Sequence, residues 1–371
     1  MPASTSAHAV RVDDVAVSVY RIPTDVDSES DGTYVWNATT LVLVEVQGGG
    51  IRGLGYTYAD ESTARLIHST LASVACGMNV MAIGEIWTRL VAAVRNLGRP
   101  GIASMAISAI DIAMWDLKAR VLDLPLVTVL GAVRDAVPVY GSGGFTSYSD
   151  DQLRAQLSGW IESGIPRVKM KIGRDAEADV RRVAVARRAI GEAAELFVDA
   201  NGGYSRKQAL GQAQRFIESR VSWFEEPVYH RDLDGLRFCR DHAPASMEIS
   251  AGEYGYDPPT FAALVDAGAV DVLQVDATRC EGITGLLVVD GLCEATALPL
   301  STHCAPSIHA HAACAAKRVR HLEYFHDHVR IEHMLFDGAL TPIRGALVPD
   351  LTRAGLGLEL KRTDARRYEI S

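Results

Sequence analysis

From Val137 onward, short apolar runs alternate with amphipathic stretches, and this is the strongest pattern in the chain. The apolar runs predict strands at Val137 to Gly141, Arg167 to Ile172, Leu196 to Ala200, Ser222 to Glu225, Met247 to Ala251, Val270 to Val275, Pro299 to Thr302 and His321 to Tyr324. Between them, recurrence of apolar positions at three and four residues predicts helices such as Asp175 to Ala193, Arg206 to Ser219 and Pro259 to Ala267. Eight strand–helix units of roughly 30 residues predict a (β/α)8 barrel. An open doubly wound sheet is the runner-up, but no GxGxxG follows the first strand.

The preceding stretch is patterned differently. Val15 to Tyr20 and Ala38 to Gln47 read as strands, and Gly48-Gly49-Gly50 turns the second into a third at Ile51 to Tyr58. The intervening Pro23 to Gly32 carries four acids, Asp25, Asp27, Glu29 and Asp31, and predicts a solvated loop. Helices follow at about Glu61 to Ala75 and Ile102 to Val121. Strands and then helices, without alternation, make an α+β unit. The expected organisation is therefore an α+β capping domain over residues 1–134, a barrel over 135–340 and a C-terminal segment over 341–371, whose return to the capping sheet is left open.

Composition narrows the class. The chain has 371 residues, 48% hydrophobic and 22% charged, as in ordinary globular proteins. A net charge of −9 argues against nucleic acid, because an acidic surface repels phosphates. The six cysteines form no CxxC pair and read as reduced thiols. Met1 to Val10 has neither a basic stretch nor an apolar core, and no run reaches the roughly 18 apolar residues of a membrane span, so a cytoplasmic protein without membrane association is expected.

The chemistry is carried by polar residues at the strand ends. Lys169 and Lys171 lie two apart on one strand and point the same way. Their mutual repulsion and partial burial favour a free base in one of them; the bland reading is an edge strand guarded by lysines. Asp199 and Asn201, Glu225, Glu253, Asp276, His303 and Glu323 fall at the ends of the next six strands. In a parallel barrel all of these converge on one mouth.

Asp199, Glu225 and Glu253 form an all-carboxylate trio suited to Mg2+. Asp276 and His303 on adjacent strands suit a carboxylate that fixes an imidazole tautomer. Glu323, as a carboxylic acid kept neutral, would donate to a substrate oxygen. Asn201 is expected to hydrogen-bond substrate or metal-bound oxygen. Glu226 should point away from Glu225 and be structural, and His309, His311 and Cys314 should serve helix packing.

Taken together, Lys169-Met170-Lys171, Asp199-Ala200-Asn201, Phe224-Glu225-Glu226-Pro227, Gly252-Glu253, Asp276, Ser301-Thr302-His303 and Leu322-Glu323 resemble the enolase superfamily in its mandelate racemase subgroup. Ala106 to Leu117 resembles that family's helix between cap and barrel. The resemblance implies Mg2+ on Asp199, Glu225 and Glu253, and Lys171 as the base that takes a proton from the carbon next to a carboxylate. It further implies Lys169 and Glu323 on the resulting enediolate, His303 oriented by Asp276 on the other face, and a homo-oligomer. A small hydroxy or sugar acid is the expected substrate, met by Tyr34, Tyr56 and His326, with His230, Arg231 and His328 nearby. Elimination of water from a sugar acid is favoured over racemisation of a 2-hydroxy acid, and the acidic loop argues against a second carboxylate at the far end. A catalytically silent metal-binding barrel is the reading from another class. A hydrolase barrel is disfavoured because its metal ligands would be histidines.

Overall fold

The computed structural model describes residues 10–370; apart from Val10, the polar start read at Met1 to Val10 lies outside them. Eight parallel strands form the centre: β4 (Val137–Gly143), β5 (Arg167–Lys171), β6 (Glu195–Asp199), β7 (Val221–Glu225), β8 (Glu248–Ala251), β9 (Val272–Val275), β10 (Leu300–Thr302) and β11 (Val319–Phe325). Each pairs with the next, and β11 pairs with β4 through Leu322 and Val139. That closure makes a barrel and rules out the open sheet. Strand-facing apolar residues such as Val168, Met170, Val198 and Phe224 are fully buried beneath the outer helices.

The cap is a three-stranded antiparallel sheet, β1 (Asp14–Pro23), β2 (Ala38–Gly48) and β3 (Ile51–Tyr58), with β2 in the middle. Helices complete it, among them α1 (Ile83–Ala93) and α2 (Ile102–Val121). α2 lies directly on β3 because Gly53 and Gly55, two apart and so on one face, present no side chain to it. A Cβ on Gly53 would come within 2.4 Å of the Leu117 nitrogen, and one on Gly55 within 2.4 Å of the Ala113 nitrogen. The expected helix over Glu61 to Ala75 is helical throughout, with a wider π turn over Ile67–Leu71. α1 was not predicted, although Ile83, Ile86 and Leu90 recur on its buried face.

α2 is also the joint to the barrel. Its Asp111 accepts hydrogen bonds from the backbone and hydroxyl of Thr284, at the start of α8 (Gly282–Thr296). Its Asp116, fully buried, accepts from the Leu54 nitrogen at 2.8 Å, the Leu356 nitrogen at 2.6 Å and Arg120 Nε at 2.8 Å. One carboxylate thus ties the capping sheet, the linking helix and the C-terminal segment. That segment meets both units: Leu347 pairs with Val137 at the barrel edge, while the Ile370 nitrogen donates to the Val19 carbonyl and Arg362 reaches Glu45 in the cap. Among the described residues no helix is long and apolar enough to cross a membrane.

Removing a fully buried ion-paired carboxylate leaves its partners uncompensated, at a cost of roughly 3–5 kcal/mol. Asp116→Ala is therefore expected to lower the unfolding free energy by about that much in a urea titration. A loss below about 1 kcal/mol, the size of one ordinary hydrogen bond, would show that the joint does not depend on it.

Candidate active site

The period-two alternation of the strands builds the site in two levels. At the lower level, Tyr140 on β4, Phe197 on β6, Trp223 on β7 and His321 on β11 point into the barrel and pack edge-to-face or stacked. Two residues further along the same strands, and therefore on the same side, stand Asp199, Glu225 and Glu323. The floor also orients the level above: Trp223 Nε1 donates to Glu225 Oε2 at 3.0 Å, and the Lys169 ammonium sits 5.4 Å over the Tyr140 ring.

Lys171, Asp199 and Glu225 form one registered row across β5, β6 and β7. Lys171 Nζ is 2.5 Å from Asp199 Oδ2; Lys169 Nζ is 2.5 Å from Glu225 Oε1, 2.8 Å from Glu323 Oε1 and 3.6 Å from Asp199 Oδ2. Glu253 follows β8, and one oxygen from each of Asp199, Glu225 and Glu253 lies within 4.8 Å of the others, all buried. Glu253 Oε2 is buried with no hydrogen-bond partner, as are Asn201 Oδ1 and Glu226 Oε1. Burial and the adjacent Asp199 push the Glu225 carboxyl well above its ordinary range. Crowded carboxylates with an orphaned oxygen are a donor set that fits a hard divalent cation.

Three expectations about these groups are corrected. Lys171 is not a free base by virtue of its lysine neighbour. Burial works to lower its pKa, but Asp199 outweighs both burial and Lys169, and the ammonium is held above its usual value. Glu323 is not a neutral acid. Burial would raise its pKa, but Lys169 and the Cys304 backbone N–H, at 3.1 Å, favour the carboxylate, which is held well below the usual range. Glu226 does not point away: at a left-handed φ of 39° it turns back, buried, beside Glu253 and Asp199, and burial together with those charges pushes its carboxyl up.

Across the mouth, His303 Nδ1 is 2.8 Å from Asp276 Oδ2. Burial tends to raise the Asp276 pKa, but the His303 hydrogen bond and nearby cations hold it well below the carboxylate range. The ionised carboxylate has no proton to give, so Nδ1 carries the hydrogen and Nε2 faces the mouth. Asp276 also accepts from the Thr278 nitrogen and hydroxyl, both at 2.7 Å. His309 and His311 lie buried on α9 (Pro306–Ala315), with Nε2 of His309 accepting from the Ala277 nitrogen.

The sequence-predicted substrate residues divide. Tyr34 stands at the rim, 67% exposed, beside Trp36 and Tyr58. His326 is at the rim too, its Nε2 2.9 Å from Asp25. Asn201 follows Asp199 at φ 45°, its N–H donating to Asp199 Oδ1. Tyr56 does not reach the mouth: it is fully buried and its hydroxyl donates to Glu332 at 2.6 Å, in the seam between cap and barrel. Tyr58 and His328, the latter expected nearby, line the mouth together with Arg279 and Asp327, which were missed. Arg279 lies one turn past Asp276, with Nη1 donating to the Glu253 carbonyl at 3.0 Å; nothing in its local sequence signals this.

The loop over residues 24–37 closes one side. Gly32 lies so near the barrel strand ends that a Cβ there would be 2.3 Å from the Ala200 carbonyl oxygen. Thr146, after β4, holds the loop through the carbonyls of Ser30 and Asp31. Its acids do not face the mouth as a charged set. Asp31 accepts from the nitrogens of Thr33 and Tyr34, and Glu29 is buried against Trp36 Nε1, which also donates to Asp327. Three of the four loop acids, Asp25, Glu29 and Asp31, thus have partners in the loop or on His326.

A closed barrel with lysines on its second strand, carboxylates on the next three and a histidine–aspartate pair opposite, under an α+β cap, is the architecture of an enolase-type enzyme. Residues 152–365 match the enolase C-terminal domain-like family, and residues 20–131 the mandelate racemase/muconate lactonizing enzyme N-terminal domain. The chain belongs to the mandelate racemase subgroup of the enolase superfamily. It is 31% identical over 334 residues to the L-talarate/galactarate dehydratase of Salmonella typhimurium, covering 88% of this chain and 82% of that one. A mandelate racemase/muconate lactonizing enzyme-like protein from Rubrobacter xylanophilus superposes with a TM-score of 0.95 at 55% identity, over 97% of this chain and all of the other. L-Talarate dehydratase from Polaromonas sp. JS666, complexed with Mg and L-glucarate, superposes at 0.86 with 29% identity, over 98% of both chains. The chain is an enzyme, with dehydratases, cycloisomerases and an epimerase among its relatives.

One titration belongs to the loop. Burial first, and then Asp327 and Asp25, push the Glu29 carboxyl up to about 9; Tyr148 and the Asp25-bound His326 complete its surroundings. A carboxyl raised on folding contributes stability that is full below its unfolded pKa near 4.5 and is lost as pH rises through its folded value. The melting temperature of the wild type is expected to fall between pH 7 and pH 10 by several degrees more than that of Glu29→Gln, which keeps a neutral side chain at every pH. Parallel melting curves for the two proteins would refute the assignment.

Proposed function

We propose that the protein is a Mg2+-dependent acid-sugar dehydratase. The observation that carries this reading is the lining of the mouth above His303. It offers hydroxyls of Tyr34, Thr39, Thr40 and Tyr58, the Arg279 guanidinium, Asp60, Asp327 and His328, beside the rings of Trp36 and Phe325, and its only aliphatic side chains are Ala38 and Ala59. The number of hydroxyl, carboxylate and guanidinium groups among these side chains suits a chain of hydroxyls. The relatives that act on sugar acids support the same choice.

Asp199, Glu225 and Glu253 would hold the magnesium. When bound, it supplies positive charge where the substrate carboxylate and the enediolate place negative charge. It also shares the charge of Asp199, which by itself holds the Lys171 proton in place. Lys171, as the neutral amine, is the group that takes the α-proton and becomes the ammonium that Asp199 faces. Lys169 donates to the carboxylate end of the substrate and Glu323 keeps that ammonium in place from 2.8 Å. The β-hydroxyl leaves as water with the Nε2 proton of His303, which acts as the imidazolium and becomes the neutral ring with its remaining hydrogen on Nδ1, held by Asp276. Loss of the α-hydrogen and the β-hydroxyl gives an enol, which becomes the 2-keto-3-deoxy acid. Arg279 steadies both sides, 3.5 Å from Glu253 and 3.8 Å from Asp276.

The test is incubation with Mg2+ in D2O against a panel of aldonates, aldarates and mandelate, followed by proton NMR. A 2-keto-3-deoxy product from at least one sugar acid is expected. Lys171→Ala should lower its kcat by about 10²–10⁴-fold, as loss of a positioned base does, and His303→Asn should stop dehydration. Epimerisation with no loss of water would make the enzyme a racemase instead.

The cofactor assignment has its own readout. Mg2+ should raise the melting temperature of the wild type, since a ligand that binds only the folded state stabilises it by mass action. Glu225→Gln should lose most of that rise, and chelation should reverse it. An equal rise in both proteins would place the ion elsewhere.

A further inference from the structure

Next to the carboxylate trio lies a second donor set that the proposed reaction does not use as such. Cys304 follows His303 with φ 54°, and Ala305 follows with φ 39°; two successive left-handed residues turn the Cys304 side chain back beneath the imidazole. Cys304 Sγ is 3.2 Å from His303 Nε2 and 3.4 Å from Glu323 Oε2, and the nitrogen and oxygen are 3.8 Å apart. All three side chains are buried.

These separations lie within about half an ångström of those in a tetrahedral site. Metal–nitrogen and metal–oxygen bonds near 2.0 Å, with a metal–sulfur bond near 2.3 Å, set ligand atoms roughly 3.3–3.5 Å apart around Zn2+. Two further features belong to such a site. The far ring nitrogen of His303 is held by Asp276, the outer carboxylate that zinc-bound imidazoles ordinarily have. Glu253 Oε2, buried and without a hydrogen-bond partner, lies 3.5 Å from His303 Nε2.

We propose that His303, Cys304 and Glu323 form a second metal site, selective for a thiophilic divalent cation such as Zn2+ or Co2+ over Mg2+. Selectivity follows from the donors. Thiolate and imidazole favour the later transition metals, while the all-oxygen trio alongside favours the hard cation. Occupation ties up His303 Nε2, so, on the dehydratase reading above, the cation is an inhibitor that excess Mg2+ does not relieve.

The experiment titrates Co2+ into reduced, Mg2+-saturated full-length protein and follows the ultraviolet thiolate-to-cobalt charge-transfer band. A band that saturates at one equivalent, is displaced by Zn2+, is lost in Cys304→Ser and survives in Cys76→Ser is expected; Cys76 is the exposed thiol that controls for surface binding. The readout reports a metal–sulfur bond, so it is independent of whether the trio holds magnesium or the enzyme dehydrates. No thiolate band in the wild type would overturn the proposal without recourse to any variant. So would a band that persists in Cys304→Ser, or one that disappears in Cys76→Ser.

Discussion

The mouth of the barrel is organised by an imbalance of buried charge. Six carboxyl groups, Asp199, Glu225, Glu226, Glu253, Asp276 and Glu323, converge there against two buried lysines and the partly exposed Arg279. Like charges taken out of water together either protonate or acquire a counter-charge. The Lys169 and Lys171 ammonium groups do part of this work, at 2.5 Å from Glu225 and Asp199. Three carboxyls still exceed the cations, which is the electrostatic argument for a divalent ion. The lysines' protonation is then set by how much negative charge remains beside them, so metal binding and base strength belong to one balance.

That balance requires the strands to be in register to within a fraction of an ångström, and packing from below and from the side enforces it. The aromatic floor of Phe197 and Trp223 fixes the height at which Asp199 and Glu225 emerge. On the cap side, buried polar contacts fasten the two units: Asp111 to Thr284, Tyr56 to Glu332, and Arg99 to Glu281, an ion pair at 2.5 Å whose acid is fully buried. Buried polar groups of this kind add less net stability than apolar packing but accept only one geometry. They hold the cap in a single position over the mouth.

Much of this was legible in the chain. Alternation gave the eight strands, and the residue at each strand end pointed to the convergence, because parallel strands leave no choice of mouth. What was not legible depends on backbone turns after the strand ends. Glu226 should face away by strand alternation, but the strand stops at Glu225 and a left-handed residue reverses the next side chain. The same break after Thr302 brings Cys304 back beneath His303. Tyr56 and Tyr58 lie on one face of β3, yet only Tyr58 reaches the mouth, because Tyr56 meets Glu332 first. Protonation states were also misjudged, since Lys171 and Glu323 take theirs from partners distant in sequence.

The division between strand ends and loops separates two properties of the enzyme. The groups assigned to proton transfer stand at the ends of a closed, hydrogen-bonded barrel and leave little room for adjustment. The groups proposed to meet the rest of a substrate come from β2, β3, the loop over residues 24–37 and the helix that starts at His326, held by contacts such as Thr146 to Ser30 and Trp36 to Asp327. A site that hydrogen-bonds a hydroxyl rejects an analogue lacking it far more strongly than an apolar pocket rejects a change of one methylene. Asp31, Glu29 and Asp25 of the loop are turned to Thr33, Trp36 and His326, while Asp60 and Asp327 stand in the mouth among its hydroxyls. On the proposed reading, substitutions in these segments change which sugar acid is accepted while the chemistry on the strands stays the same.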